Sequence, residues 1–74
     1  MDTTLAMKVT AIVARDSGAT NVVLETPLKT LGLDSLEFMQ LIITLREEAG
    51  EISDEQVARV ETVEDLVRAI EGKL

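Results

Sequence analysis

The chain contains no cysteine, histidine, tryptophan or tyrosine, and Phe38 is its one aromatic residue. Without cysteine there is neither a disulfide nor a thiolate ligand, and without histidine the commonest general base and metal ligand is missing. Most catalytic constellations are thereby closed, no metal site is expected, and base stacking on aromatic platforms is excluded. Positive charge is also scarce: seven Lys and Arg face fourteen Asp and Glu, for a formal net charge of −7. Such a surface repels nucleic acids and anionic membranes, so a basic protein surface is its natural complement. No apolar run approaches a membrane span, and the N-terminus lacks the charged and apolar regions of a signal peptide. A cytoplasmic location is the default expectation.

The 74 residues leave room for one domain, residues 1–74, with one small core. The acidity is concentrated. Asp34 to Asp65 holds ten acids against two arginines, while the other 42 residues hold four acids and five bases. Leu5, Val9, Ile12 and Val13 follow the spacing of one helix face, and Asp2, Thr3 or Thr4 is placed to cap a helix running from Thr4 to about Arg15. Gly18 suits the left-handed residue that ends it. A long loop follows, apolar at Val22, Val23, Leu24, Leu28, Leu31 and Leu33, broken by Pro27 and Gly32, and read as irregular. Asp34 with Glu37, Ser53 with Gln56, and Thr62 with Asp65 each have the spacing of a capping box. They predict helices over Ser35–Glu48, Asp54–Arg59 and Val63–Glu71, the last burying Val63, Leu66, Val67 and Ile70. The fold class is all-α, a small four-helix bundle with three principal helices and a short third one.

The helix starting at Ser35 is apolar on two sides. Phe38, Leu41, Ile42 and Leu45 cluster in one direction and are assigned to the core, while Leu36, Met39 and Ile43 lie nearly opposite. The second stripe is edged by Gln40 and Glu47, the composition of a docking surface. Ser35 stands at the helix N-terminus, where unpaired amides and the positive end of the dipole favour a phosphate ester. With no histidine to activate its hydroxyl, any modification must be made by another enzyme. Adjacent acids such as Glu47-Glu48 and Glu64-Asp65 read as solvated helix faces, so the chain is not expected to be an enzyme.

Leu31-Gly32-Leu33-Asp34-Ser35-Leu36 resembles the phosphopantetheine attachment signature of acyl carrier proteins, and Glu51-Ile52-Ser53-Asp54-Glu55 resembles that family's entry to its short third helix. The resemblance covers nearly the full chain. It implies a 4'-phosphopantetheine arm, transferred from coenzyme A to Ser35 by a phosphopantetheinyl transferase with magnesium bound in the transferase. The arm's thiol carries an acyl group as a thioester, which lets a protein without cysteine do thiol chemistry. The resemblance also places partner docking on Asp34, Leu36, Glu37, Met39, Ile43 and Glu47, facing acyl-transfer or acyl-ligase enzymes with basic patches.

Gln40 and Arg46 occupy positions that are commonly acidic in the fatty acid synthesis carriers. The first expectation is a free-standing, monomeric acyl carrier for fatty acid, polyketide or specialised lipid synthesis. An aminoacyl, D-alanyl or peptidyl carrier with the same arm is the near alternative, and an unmodified interaction module is the alternative of another class.

Overall fold

Asp2 opens the first helix, its Oδ1 accepting from the amides of Thr4 at 2.9 Å and Leu5 at 3.3 Å. A side chain at this place satisfies amides that the helix itself leaves unpaired. In the computed structural model, which describes residues 2–74, helix α1 spans Thr3–Ser17 and stops at Gly18, whose φ of 71° is left-handed. Helix α2 spans Ser35–Glu48, α3 Asp54–Val57 and α4 Val63–Ile70. All three expected capping boxes are formed. The all-α bundle inferred from the sequence is the fold, and the boundaries of α1, α2 and α4 fall within two residues of those expected.

Two expectations need correcting. Helix α3 ends at Val57 instead of Arg59, because the chain tightens there and the Arg59 amide bonds back only three residues, to the Gln56 carbonyl at 2.9 Å. The loop before α2 is not wholly irregular, since Leu28–Leu31 form a 3-10 turn between Pro27 and the left-handed Gly32. Pro27 fixes the entry angle and has no amide to leave unpaired. The loop is also tied to the connection between α3 and α4. Leu28 N donates to Glu61 O at 2.8 Å, Val63 N to Thr26 O at 3.1 Å and Glu64 N to Leu24 O at 2.9 Å.

The core is built from one face of each long helix: Val9, Ile12 and Val13 of α1, Leu41, Ile42 and Leu45 of α2, and Val63, Leu66 and Val67 of α4. Leu28 from the loop and Ile52 before α3 close its edges. Burying each such side chain contributes about 1.5–3 kcal/mol relative to leaving it in water, so these positions hold the bundle together. Ile70, expected in the buried stripe of α4, is only half-buried and packs at the core's margin. In contrast α3 buries no residue and relies on its neighbours for its place.

Candidate functional site

Ser35 is the first residue of α2, and the sequence before it explains why its hydroxyl is presented. Gly32 at φ 73° turns the chain out of the 3-10 turn, and Asp34 at φ −81° and ψ 179° is still extended. Asp34 Oδ1 accepts from the Glu37 amide at 2.7 Å, and Glu37 Oε1 accepts from the Asp34 amide at 3.1 Å. This reciprocal pair clamps the first turn of α2. It leaves the amides of Ser35 and Leu36 without acceptors in the helix, and Ser35 Oγ makes no hydrogen bond to any described residue. Ser35 is exposed.

Beside the hydroxyl lies an open groove of about 300 Å³, lined by Leu28, Lys29, Leu33, Asp34, Ser35, Phe38 and Val60. Phe38 is half-buried and packs against the core cluster from this rim. Its expected packing role and a wall of the groove are the same side chain. The floor is apolar, while Lys29 places a positive charge at the edge. The composition offers Ser35 no histidine, and no carboxylate among the described residues is hydrogen-bonded to its Oγ; Asp34 and Glu37 each accept from a backbone amide instead. An exposed, partnerless hydroxyl, two free amides and the positive end of a helix dipole suit a phosphodiester made by an outside catalyst.

The other apolar stripe of α2 is open to solvent: Leu36 is 68% exposed, Met39 41% and Ile43 50%. Gln40 and Glu47 are exposed at its edge, as are Asp34 and Glu37 at the start of the helix. The seven residues expected to carry attachment and docking therefore share the N-terminal end and the outer side of α2.

Arg46 is different. Its Nε donates to the carbonyl of Ile52 at 2.8 Å, and its Nη2 meets Asp54 Oδ1 at 2.9 Å. The sequence marked it only as a departure from a commonly acidic position, and the structure gives it partners within the chain. No local pattern announced this, because the contact depends on how the chain folds back after Gly50. Gly50 itself makes another close approach between distant parts of the chain. At φ 156° it faces α4 so closely that a Cβ there would lie 2.7 Å from Ile70 Cγ2.

A second apolar groove of about 650 Å³ lies away from Ser35, between α1 and the following loop, with Met7, Ala11, Ala14, Val22 and Val23 in its lining. Its sequence signal was the i, i+4, i+7 spacing of Met7, Ala11 and Ala14, weak because two of the three side chains are small. Among the described residues there is no group of three or more acids, histidines or cysteines arranged to hold a metal.

Comparison with known proteins adds an independent line. The family model described as "Phosphopantetheine attachment site" matches residues 8–70. An acyl carrier protein of Helicobacter acinonychis (strain Sheeba) is 46% identical over 55 residues, 72% of this chain and 70% of that protein. An acyl carrier protein homolog of Ureaplasma parvum serovar 3 is 36% identical over 52 residues, 69% of this chain and 68% of that protein.

Proposed function

Given that the chain belongs to the acyl carrier protein family, non-enzymatic carriers that bear covalent 4'-phosphopantetheine, we propose that Ser35 Oγ is the attachment point. The observation that carries this reading is the exposed, unbonded hydroxyl on the first residue of α2, beside two amides with no acceptor in the helix. In the transfer, Ser35 Oγ loses its proton to the transferase and displaces the adenosine bisphosphate part of coenzyme A, forming a phosphodiester. Asp34 and Glu37 keep the first turn wound so that the amides of Ser35 and Leu36 face the new charge. Lys29 at the groove edge adds a favourable field. When attached, the arm supplies the thiol on which an acyl group rides as a thioester.

The cargo is an acyl intermediate of fatty acid, polyketide or specialised lipid synthesis. The partners are a phosphopantetheinyl transferase and acyl-transfer or acyl-ligase enzymes. Their basic patches meet Asp34, Glu37 and Glu47, and their apolar groups meet Leu36, Met39 and Ile43. The carrier works as a monomeric single domain in the cytoplasm; no helix among the described residues is long and apolar enough to cross a membrane.

The test is intact mass after incubation with coenzyme A, magnesium and a transferase. The wild type is expected to gain one phosphopantetheine. Ser35→Ala is expected to gain none while keeping its helical circular dichroism. Modification that persists on Ser35→Ala moves the site to another hydroxyl. A wild type that several transferases leave unmodified favours the interaction module. Loading the modified protein with fatty acids or amino acids by their ligases then separates acyl from aminoacyl carriers.

A further inference from the structure

Ser35 and Arg46 are eleven residues apart on α2, three helical turns, so they lie on nearly the same line along the helix, about 16 Å apart. The segment from Ser53 to Val60 bridges these two points. At one end Asp54 meets Arg46 at 2.9 Å, and at the other Val60 lines the groove beside Ser35. Between them α3 has only four residues and buries none of them. Its anchors are few: Gln56 Nε2 donates to Ala69 O at 3.1 Å, Val57 and Val60 pack at the core's margin, and Arg46 holds the start.

Arg46 is suited to this task in a way that its charge alone does not explain. Its side chain is 28% exposed, whereas its partner Asp54 is 94% exposed, so the ion pair by itself is largely screened. The Nε bond to Ile52 O is part-buried and ties down the residue whose side chain is 1% exposed in the core. A guanidinium can hold both acceptors at once with a fixed fork, which an ammonium cannot.

We propose that Arg46 is a positioning residue, holding the 53–60 segment against α2 so that Val60 stays in place as a wall of the groove beside Ser35. Loss of the guanidinium frees the segment at its start, and the groove loses its fixed wall although Ser35 itself is untouched. A cargo on an arm at Ser35 would lie beside this wall, and that part rests on the reading of Ser35 as the attachment point. The anchoring of the segment by Arg46 does not.

The experiment is residue-resolved hydrogen exchange on the unmodified protein. Arg46→Met keeps much of the apolar stem and removes the donors. The amides of Val57, Ala58 and Arg59, which bond within the segment, are expected to exchange about tenfold faster. Those of α1 and α4 are expected to stay protected. Asp54→Asn, which leaves the Ile52 bond in place, is expected to give a smaller acceleration in the same three amides, and Arg46→Lys a partial rescue. Unchanged exchange in the segment overturns the proposal, as does acceleration spread evenly over all helices. In a second arm the modified protein carries a hexanoyl thioester, and its cleavage by hydroxylamine is expected to be severalfold faster in Arg46→Met. Equal cleavage with a loosened segment overturns the link to the groove. Absence of any mass gain on loading counts against the Ser35 reading and leaves the exchange result standing.

Discussion

On α2, Leu41, Ile42 and Leu45 are sealed from solvent, while Leu36, Met39 and Ile43, of similar size and apolarity, stand 41 to 68% exposed on the other side of the helix. The buried set belongs to the core cluster shared with residues of α1 and α4 and holds the bundle. The exposed set lies outside the buried cluster and begins one residue after Ser35. Hydrophobicity alone does not distinguish them, since each stripe repeats with helical spacing. What separates them is the supply of covering elements. A chain of 74 residues has only two other long helices and a four-residue α3 with which to cover α2.

The comparison is broken most severely from the buried side. Leu41→Ala removes a side chain that is 1% exposed and leaves a cavity in the core cluster, so a loss of about 2–5 kcal/mol is expected in chemical denaturation. In a domain this small that threatens folding itself. Next comes Gly50→Ala, at the turn where α2 ends. The added Cβ meets Ile70 Cγ2 at 2.7 Å and the backbone sits at φ 156°, so a loss of about 1–3 kcal/mol is expected. A melting temperature equal to wild type would show that Ile70 can swing aside and that this end of α2 is looser than it looks.

The outer stripe should behave in the opposite way. Met39→Ala is expected to change stability by about 0.5 kcal/mol or less, and to weaken partner binding. Thermal melts and affinity for a transferase measure the two effects on the same sample. Unchanged binding with a collapsed melting temperature would place Met39 in the core and remove the contrast between the stripes.

Much of this contrast could be read in the amino-acid order. Asp34 with Glu37, Ser53 with Gln56 and Thr62 with Asp65 mark helix starts because each pair acts within one turn, and local interactions survive translation into sequence. The place of Ser35 as the first residue of α2 follows from the Asp34 and Glu37 pair. Contacts between distant parts were not legible. Nothing around Leu28 announces that its amide will find Glu61, nothing around Arg46 announces Ile52 and Asp54, and Gly50 looks like any helix stop until Ile70 is brought against it. The 3-10 turn at Leu28–Leu31 was missed because Pro27 and Gly32 punctuate a tight turn and an irregular loop alike.

The finest test lies in two adjacent acids. Glu48 accepts from both terminal nitrogens of Arg15, at 3.3 and 2.9 Å, and so joins the end of α2 to the end of α1. With Glu48 as the larger influence and Asp16 beside it, the Arg15 guanidinium is held above its ordinary pKa. Arginine is charged at any pH the fold experiences, so the guanidinium itself adds no pH dependence. Glu47, one residue earlier, makes no hydrogen bond or ion pair among the described residues and stands at the edge of the outer stripe. The two carboxylates thus differ by direction alone. Glu47→Lys is expected to leave the melting temperature nearly unchanged and to slow association with a basic partner, more at low salt than at high, because rim charges steer encounters. Glu48→Gln is expected to lower the melting temperature slightly, since an exposed pair is worth little, and to change the association rate less. Stopped-flow association at two ionic strengths, with thermal melts of both variants, reads the four effects. If the two substitutions slow association equally, the partner senses only the summed charge of the acidic region, and the stripe on α2 has no charged edge of its own.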